Sequence, residues 1–229
     1  VSTVQFVSVN AVPVEGAGVM FDAKTDHAVV AKDGSIAGVG KVHPNQIFHT
    51  NYDVAKIVEH YEDPLLGPMV KLENIERPIL AAKAILSEGL EGTYPHENKA
   101  LVRRDVGEVR VELPFTDDMS PEQLIAKAKT IDTNALADAA VGEGAHRLGA
   151  PSFASPGQSD LMHHFYSKPL FEAPLDTTGF VPLSEAIRIV RGGEGEAATE
   201  ALLMRLADEM KWIPSLGMSI AKAEKLAGI

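Results

Sequence analysis

The pattern of apolar and polar positions over residues 1–42 reads as strands. Val4, Phe6 and Ser8 fall on one face of an extended segment and Gln5, Val7 and Val9 on the other. Both faces are mainly apolar, the pattern of a mostly buried strand. Pro13 and Gly16 mark a turn, and Val19-Met20-Phe21 reads as a short second strand. Asp33-Gly34 then separates two apolar runs, 27–31 and 36–42. A two-residue hairpin turn needs positive φ at both central positions, which Gly accepts freely and Asp tolerates. These features predict a β-hairpin or small antiparallel sheet at the N-terminal end.

The period lengthens after Thr50-Asn51. Val54, Ile57, Val58 and Tyr61 stand at i, i+3, i+4 and i+7 and predict a helix that Pro64 ends. A second helix is expected from about residues 74–78, through Ile79, Leu80, Ala82, Ile85 and Leu86, to Gly89 or Gly92. Residues 101–103 and 108–113 alternate again and suggest a second hairpin around Asp105-Val106-Gly107. Ser120-Pro121-Glu122-Gln123 has the form of a capping box and opens a helix carrying Leu124, Ile125, Ala128 and Ile131. Residues 133–141 fit another short helix, stopped by Gly142-Glu143-Gly144. Residues 142–159 are rich in Gly, Ala, Pro and Ser and read as a long loop. Residues 160–166 form a short helix or strand. Helices are expected over 182–191, about 194–212 with a stripe of Ala198, Leu202, Leu203, Leu206 and Met210, and a final segment capped by Ser215.

The predicted fold is therefore α+β: an N-terminal hairpin or small antiparallel sheet, a second hairpin near 100–113, and a mostly helical remainder. One domain over 1–229 is expected, with a β-rich part at 1–50 and a mainly helical part at 51–229 that contains the hairpin 99–114. No internal repeat or low-complexity tract interrupts it.

Composition narrows the function. Of 229 residues, 45% are hydrophobic and 6% aromatic, so the core must rely on aliphatic side chains. Formal net charge is -11. An acidic surface repels phosphate backbones and anionic lipids, and Arg103-Arg104 is flanked by Asp105 and Glu108, so neither nucleic acid nor a membrane surface is an expected partner. The absence of cysteine excludes disulfides, thiolate metal sites and a cysteine nucleophile. Residues 1–14 carry no basic leader, so no signal peptide is expected. No run approaches the roughly 20 apolar residues that span a bilayer. The expected location is the cytoplasm or an assembled particle.

Candidate chemistry concentrates at Asp160, His163 and His164. On a helix, Asp160 shares a face with His163 at i+3 or His164 at i+4. A carboxylate with one or two imidazoles suits a divalent metal or an acid/base pair. Adjacent histidines can equally cap or pack beside Phe165 and Tyr166, and no HExxH or HxH pattern supports a metal. His43 and His49 flank residues 44–48, and His60 lies between Glu59 and Glu62, where it makes a surface pair. His96-Glu97 and His146-Arg147 sit in turns or loops. Ser152, Ser155 and Ser159 lack the strand–GxSxG–helix elbow of a serine nucleophile. Gly38-Val39-Gly40-Lys41 does not lead into a helix and is no phosphate loop. Gly192-Gly193-Glu194-Gly195 precedes a helix, but Glu194 and Glu196 occupy its positive end, which suits a hinge or cap.

Without a catalytic fingerprint, the sequence reads as a non-catalytic structural or assembly subunit of a larger oligomer, for instance a phage head, neck or tail component of a virion. It has no cofactor and has copies of itself or other proteins as partners. The alternative is a metal-dependent hydrolase or lyase with a divalent ion at Asp160, His163 and His164.

Overall fold

The structure is a computed structural model and describes residues 2–14, 18–30, 36–39, 43–76, 102–116, 118–154 and 161–228. The chain forms two compact units. One holds Val1–Val54, Arg110–Ala140 and Pro151–His163; the other holds Ala55–Val109, Val141–Ala150 and His164–Ile229.

In the first unit, β1 (Ser2–Val14), β2 (Gly18–Val30), β3 (Ile36–Val39) and β4 (His43–Thr50) form an antiparallel sheet in which β2 pairs with all three others. The register of β1 on β2 runs from Ser2↔Val29 to Val14↔Gly18 and shifts between Phe6 and Ser8. The small antiparallel sheet expected at the N-terminal end is thus present. β2 and β3 flank Asp33-Gly34, whose own turn lies outside the described residues.

Further along the chain, α1 (Pro121–Ala128) begins at the expected capping box. The Ser120 N–H donates to Gln123 Oε1 at 2.7 Å, and the Gln123 N–H donates to Ser120 Oγ at 3.3 Å. α2 (Thr133–Val141) matches its predicted bounds. Asp132 caps it by accepting from the Ala135 N–H at 3.1 Å.

The expectation of a mostly helical remainder is overturned. Residues 52–63 are not a helix but the strand β5 (Tyr52–Asp63). Asp53 and Ala55 are buried, then Lys56 and Val58, so both faces of the strand are covered. A strand apolar on both faces yields the same i, i+3, i+4, i+7 matches as an amphipathic helix, and the β-branched Val54, Ile57 and Val58 favour the strand. β6 (Gly67–Lys71) returns antiparallel to β5 with Tyr61↔Met69.

The predicted second hairpin is also corrected. β8 (Val102–Asp105) and β9 (Gly107–Glu112) are both strands, but β8 pairs with β7 (Glu73–Glu76) and β9 with β5. Val106 alone lies between them, fewer than the two residues a tight hairpin needs. The helix expected from residues 74–78 begins in β7; residues 77–101 lie outside the described set.

β10 (His146–Arg147), β12 (Met162–Pro169), β5, β6 and β13 (Phe180–Pro182) are hydrogen-bonded in that order. β11 (Ser152–Phe153) on β12 and β9 on β5 complete a seven-stranded sheet. Three helices follow: α3 (Leu183–Ile189), α4 (Ala197–Glu209) and α5 (Ile220–Ala227). The expected stripe on α4 is buried through Leu202, Leu203 and Leu206 against Leu183, Ala186 and Ile187 of α3 and Val58 and Val70 of the sheet. Each such leucine contributes roughly 1.5–3 kcal/mol by leaving water. Ser219, not Ser215, caps α5, accepting from the Lys222 N–H at 3.3 Å. Gly67 adopts φ +78° where the chain turns into β6, and a Cβ there would sit 2.4 Å from the Trp212 ring. Among the described residues no helix is long and apolar enough to cross a membrane.

Candidate functional site

A charged side chain lies in the middle of the second unit's core. Lys56, on β5 between Ala55 and Ile57, has no exposed side-chain surface. Its ammonium reaches both carboxylate oxygens of Asp105 at 3.0 Å, Glu108 Oε1 at 2.5 Å and Glu196 Oε2 at 3.2 Å. A buried ammonium is tolerated only when paired and hydrogen-bonded, and this one is paired three times.

Each acid arrives by a separate piece of backbone. Asp105 ends β8, where its Oδ1 accepts from the Val106 N–H at 2.8 Å and from the Thr199 hydroxyl. Glu108 lies in β9, beside the irregular step at Val106. Glu196 is the N-cap position of α4. The turn Val190–Glu194 before it kinks at Gly193, whose carbonyl accepts from Arg103 Nη1. A Cβ at Gly195 would lie 2.7 Å from both Val190 methyl carbons, so this return toward the cluster needs glycine.

Burial alone would lower the Lys56 pKa, but the charges of Asp105, Glu108 and Glu196 outweigh it and hold the ammonium above its ordinary value. For Asp105, burial pushes upward. The Lys56 charge and the hydrogen bonds from Thr199, Lys56 and the Val106 N–H overcome it, leaving a carboxylate below its usual range. Lys56 is therefore a fixed cation here and not a base.

Carboxylate oxygens of Asp105, Glu108 and Glu196 lie within 4.8 Å of one another, a spacing that could hold a metal ion. Asp105 is fully buried, whereas the side chains of Glu108 and Glu196 are 26% and 33% exposed. A cleft of about 180 Å³ opens at Glu108, lined also by Glu59, Lys71, Glu73 and Lys168. Lys71 pairs with Glu73 at 3.0 Å and Glu59 at 3.7 Å, and Lys168 reaches Glu59 at 3.4 Å. The hydrogen bond that Lys71 donates to Glu73, then the charges of Glu73 and Glu59, raise the Lys71 pKa against a small opposing effect of burial.

None of the described histidines singled out from sequence belongs to this cluster. His163 and His164 are neighbours on β12, half-buried and buried respectively. Successive strand side chains leave opposite faces, so one imidazole of the pair, not two, can enter a given site. Asp160, Ser155, Ser159, His96 and Glu97 lie outside the described residues. His43 and His49 lie on β4, Ser152 on β11 and His146 on β10. His60 is not on a helix surface but on β5, where burial and then the charge of His146 lower its pKa.

Sequence reasoning noted Asp105, Glu108 and Glu196 only as neighbours of arginines or as a helix cap, and passed over Lys56. The available signal was a lysine inside Val54-Ala55-Lys56-Ile57-Val58: a charge in an apolar strand needs partners.

No protein family matches the sequence, and no curated protein matches it either. Among solved structures, the chain is similar to one described as the crystal structure of an ADP compounds hydrolase, with 12% identity, a TM-score of 0.47, and coverage of 91% of this chain and 94% of that one. At that identity and TM-score the similarity assigns no residue a role. The expectation of a non-catalytic assembly or virion subunit is corrected here. Its premise, a chain without clustered chemical groups, fails at the paired cluster of Lys56, Asp105, Glu108 and Glu196.

Proposed function

We propose that this chain is a hydrolase acting on phosphate-bearing substrates with a divalent cation at the rim of the Lys56 cluster. The supporting observation is the charge surplus. Asp105, Glu108 and Glu196 carry three negative charges against the single positive charge of Lys56. Adding Glu59, Glu73, Lys71 and Lys168 from the cleft gives five acids and three lysines, a formal charge of -2. One divalent cation neutralises that surplus.

The donor set fits a hard cation, since Mg²⁺ and Mn²⁺ prefer carboxylate and water oxygens. Asp105 is engaged by Lys56, Thr199 and the Val106 N–H. Glu108 and Glu196, closer to solvent, are the residues that would hold the ion, with Lys56 fixing their orientation. The bound ion would polarise a phosphoryl oxygen and lower the pKa of a coordinated water. The chain's own share is positioning. Lys71 and Lys168 present ammoniums to the phosphate, and Glu59 and Glu73 hold those ammoniums at the cleft wall. The small volume of the cleft suits one phosphoryl group and its attacking water better than a whole substrate.

The test is turnover by the full chain of phosphoanhydrides, phosphate monoesters and carboxylic esters, each with Mg²⁺, Mn²⁺ or EDTA. Hydrolysis of a phosphate-bearing compound that EDTA abolishes supports the proposal. Metal-independent turnover of carboxylic esters alone, or no turnover of any phosphate compound with either ion, overturns it.

A further inference from the structure

We propose that Arg104 anchors a second phosphate, on the non-reacting half of the substrate, and so sets specificity in a chamber next to the cleft. The inference rests on the proposed function, because the two cavities share Lys71 and Glu73. The chamber measures about 450 Å³ and is lined by Lys71 through Asn74, Arg104, Asp176 and Thr178 through Val181. That volume lies within the usual range of small-ligand sites.

Arg104 sits on β8 opposite Asn74 of β7. Its Nη1 donates to Asn74 Oδ1 at 3.4 Å, and its Nε is buried with no hydrogen-bond partner. A guanidinium has five donors in a fixed fork, and among the described residues this one meets a single acceptor, Asn74. The acids of the chamber are otherwise engaged: Glu73 pairs with Lys71 at 3.0 Å, and Asp176 accepts from the Thr178 N–H at 2.9 Å and from its hydroxyl. Among the described residues no carboxylate pairs with Arg104. The partner its geometry asks for is a planar or tetrahedral oxyanion, and a phosphate meets both the charge and the fork. Lys71, on the wall common to both cavities, then lies between the two phosphates. The Asp176 carboxylate, also on the chamber wall, can accept from hydroxyl groups besides Thr178, so a phosphorylated sugar suits the chamber better than a bare anion.

Binding can be measured without catalysis. Inorganic phosphate, ribose 5-phosphate and ribose are titrated into the full chain labelled with nitrogen-15, following the arginine Nε–H resonances and the heat. The expected result is that both phosphates bind and shift the Arg104 Nε–H resonance, while ribose does neither. Arg104→Gln should weaken ribose 5-phosphate at least about tenfold, and Arg104→Lys should restore part of the loss. An unmoved Arg104 resonance in the wild-type chain overturns the inference even if the variants fail to fold. Equal affinity of Arg104→Gln and wild type overturns it as well. The two proposals separate in kinetics. Arg104→Gln should raise KM for a substrate with two phosphates at nearly unchanged kcat. Hydrolysis with KM unaffected leaves the proposed function standing and removes this one, whereas phosphate binding at Arg104 without any hydrolysis does the reverse.

Discussion

Lys56 Nζ lies 3.0 Å from both carboxylate oxygens of Asp105, 49 residues along the chain, and neither side chain exposes any surface. β5 and β8 are thereby tied through the interior of the second unit by an ion pair that also carries Glu108 and Glu196. Such a pair costs desolvation and is not by itself a source of stability, but removing one partner strands a buried charge. Asp105→Leu or Lys56→Met alone should cost about 3–5 kcal/mol, and the double change Lys56→Met with Asp105→Leu should cost much less than the sum. Urea unfolding of the four proteins measures the coupling.

The same pair fixes how stability depends on pH. The native pKa of Asp105 lies below its unfolded value, so its contribution is complete above that unfolded value, near 3.9, and is lost as pH falls through the native one. Lys56 has a native pKa above its unfolded value of about 10.4, so its contribution is complete below 10.4 and is lost as pH rises through the native value. His60, lowered by burial and by His146, adds a loss of stability as pH drops below about 6.5. Unfolding free energy should therefore be highest between about pH 7 and 10. The Lys56→Met/Asp105→Leu protein should show a weaker decline beyond pH 10, with Lys71 still contributing to it, and keep the one near pH 6.

Gly67 and Trp212 make a close backbone-to-ring contact. The ring is fixed from its other edge, where Nε1 donates to Ser184 Oγ at 2.9 Å. Gly67→Ala combines positive φ with a clash at 2.4 Å and should lower stability by about 1–3 kcal/mol. Thermal unfolding and Trp212 fluorescence, the protein having a single tryptophan, report the loss and the displacement together.

Gly195 brings Glu196 back to the cluster past Val190. Gly195→Ala should push Val190 aside and weaken the Glu196 contact with Lys56, and Val190→Ala in the same chain should recover much of the stability by vacating the space. If the double variant is no more stable than Gly195→Ala, the close approach is not what the glycine serves.

The start of α1 was legible because its signal is local. Ser120, Pro121 and Gln123 specify a cap within four residues, and the aliphatic stripe on α4 is read within one element. Strand pairing was not local. Val54, Ile57, Val58 and Tyr61 satisfy a helical period, and only burial of both faces by distant strands makes β5 extended. The runs on either side of Val106 were rightly extended, yet their partners, β7 and β5, lie tens of residues away. The site was hidden for the same reason: Lys56, Asp105, Glu108 and Glu196 meet only in the folded unit, the first and the last 140 positions apart. Histidine density drew attention to His163 and His164, where the sequence spacing is tight but the strand sends neighbours to opposite faces.

Phosphate release by the full chain, measured against Mg²⁺ concentration for the wild type and for the Glu108→Gln/Glu196→Gln protein, tests the central claim most directly. The account predicts wild-type turnover of a phosphoanhydride that rises and saturates with Mg²⁺, and a loss of at least about 100-fold in the doubly substituted protein at equal stability. Wild-type turnover independent of Mg²⁺, or equal turnover by both proteins, would contradict it.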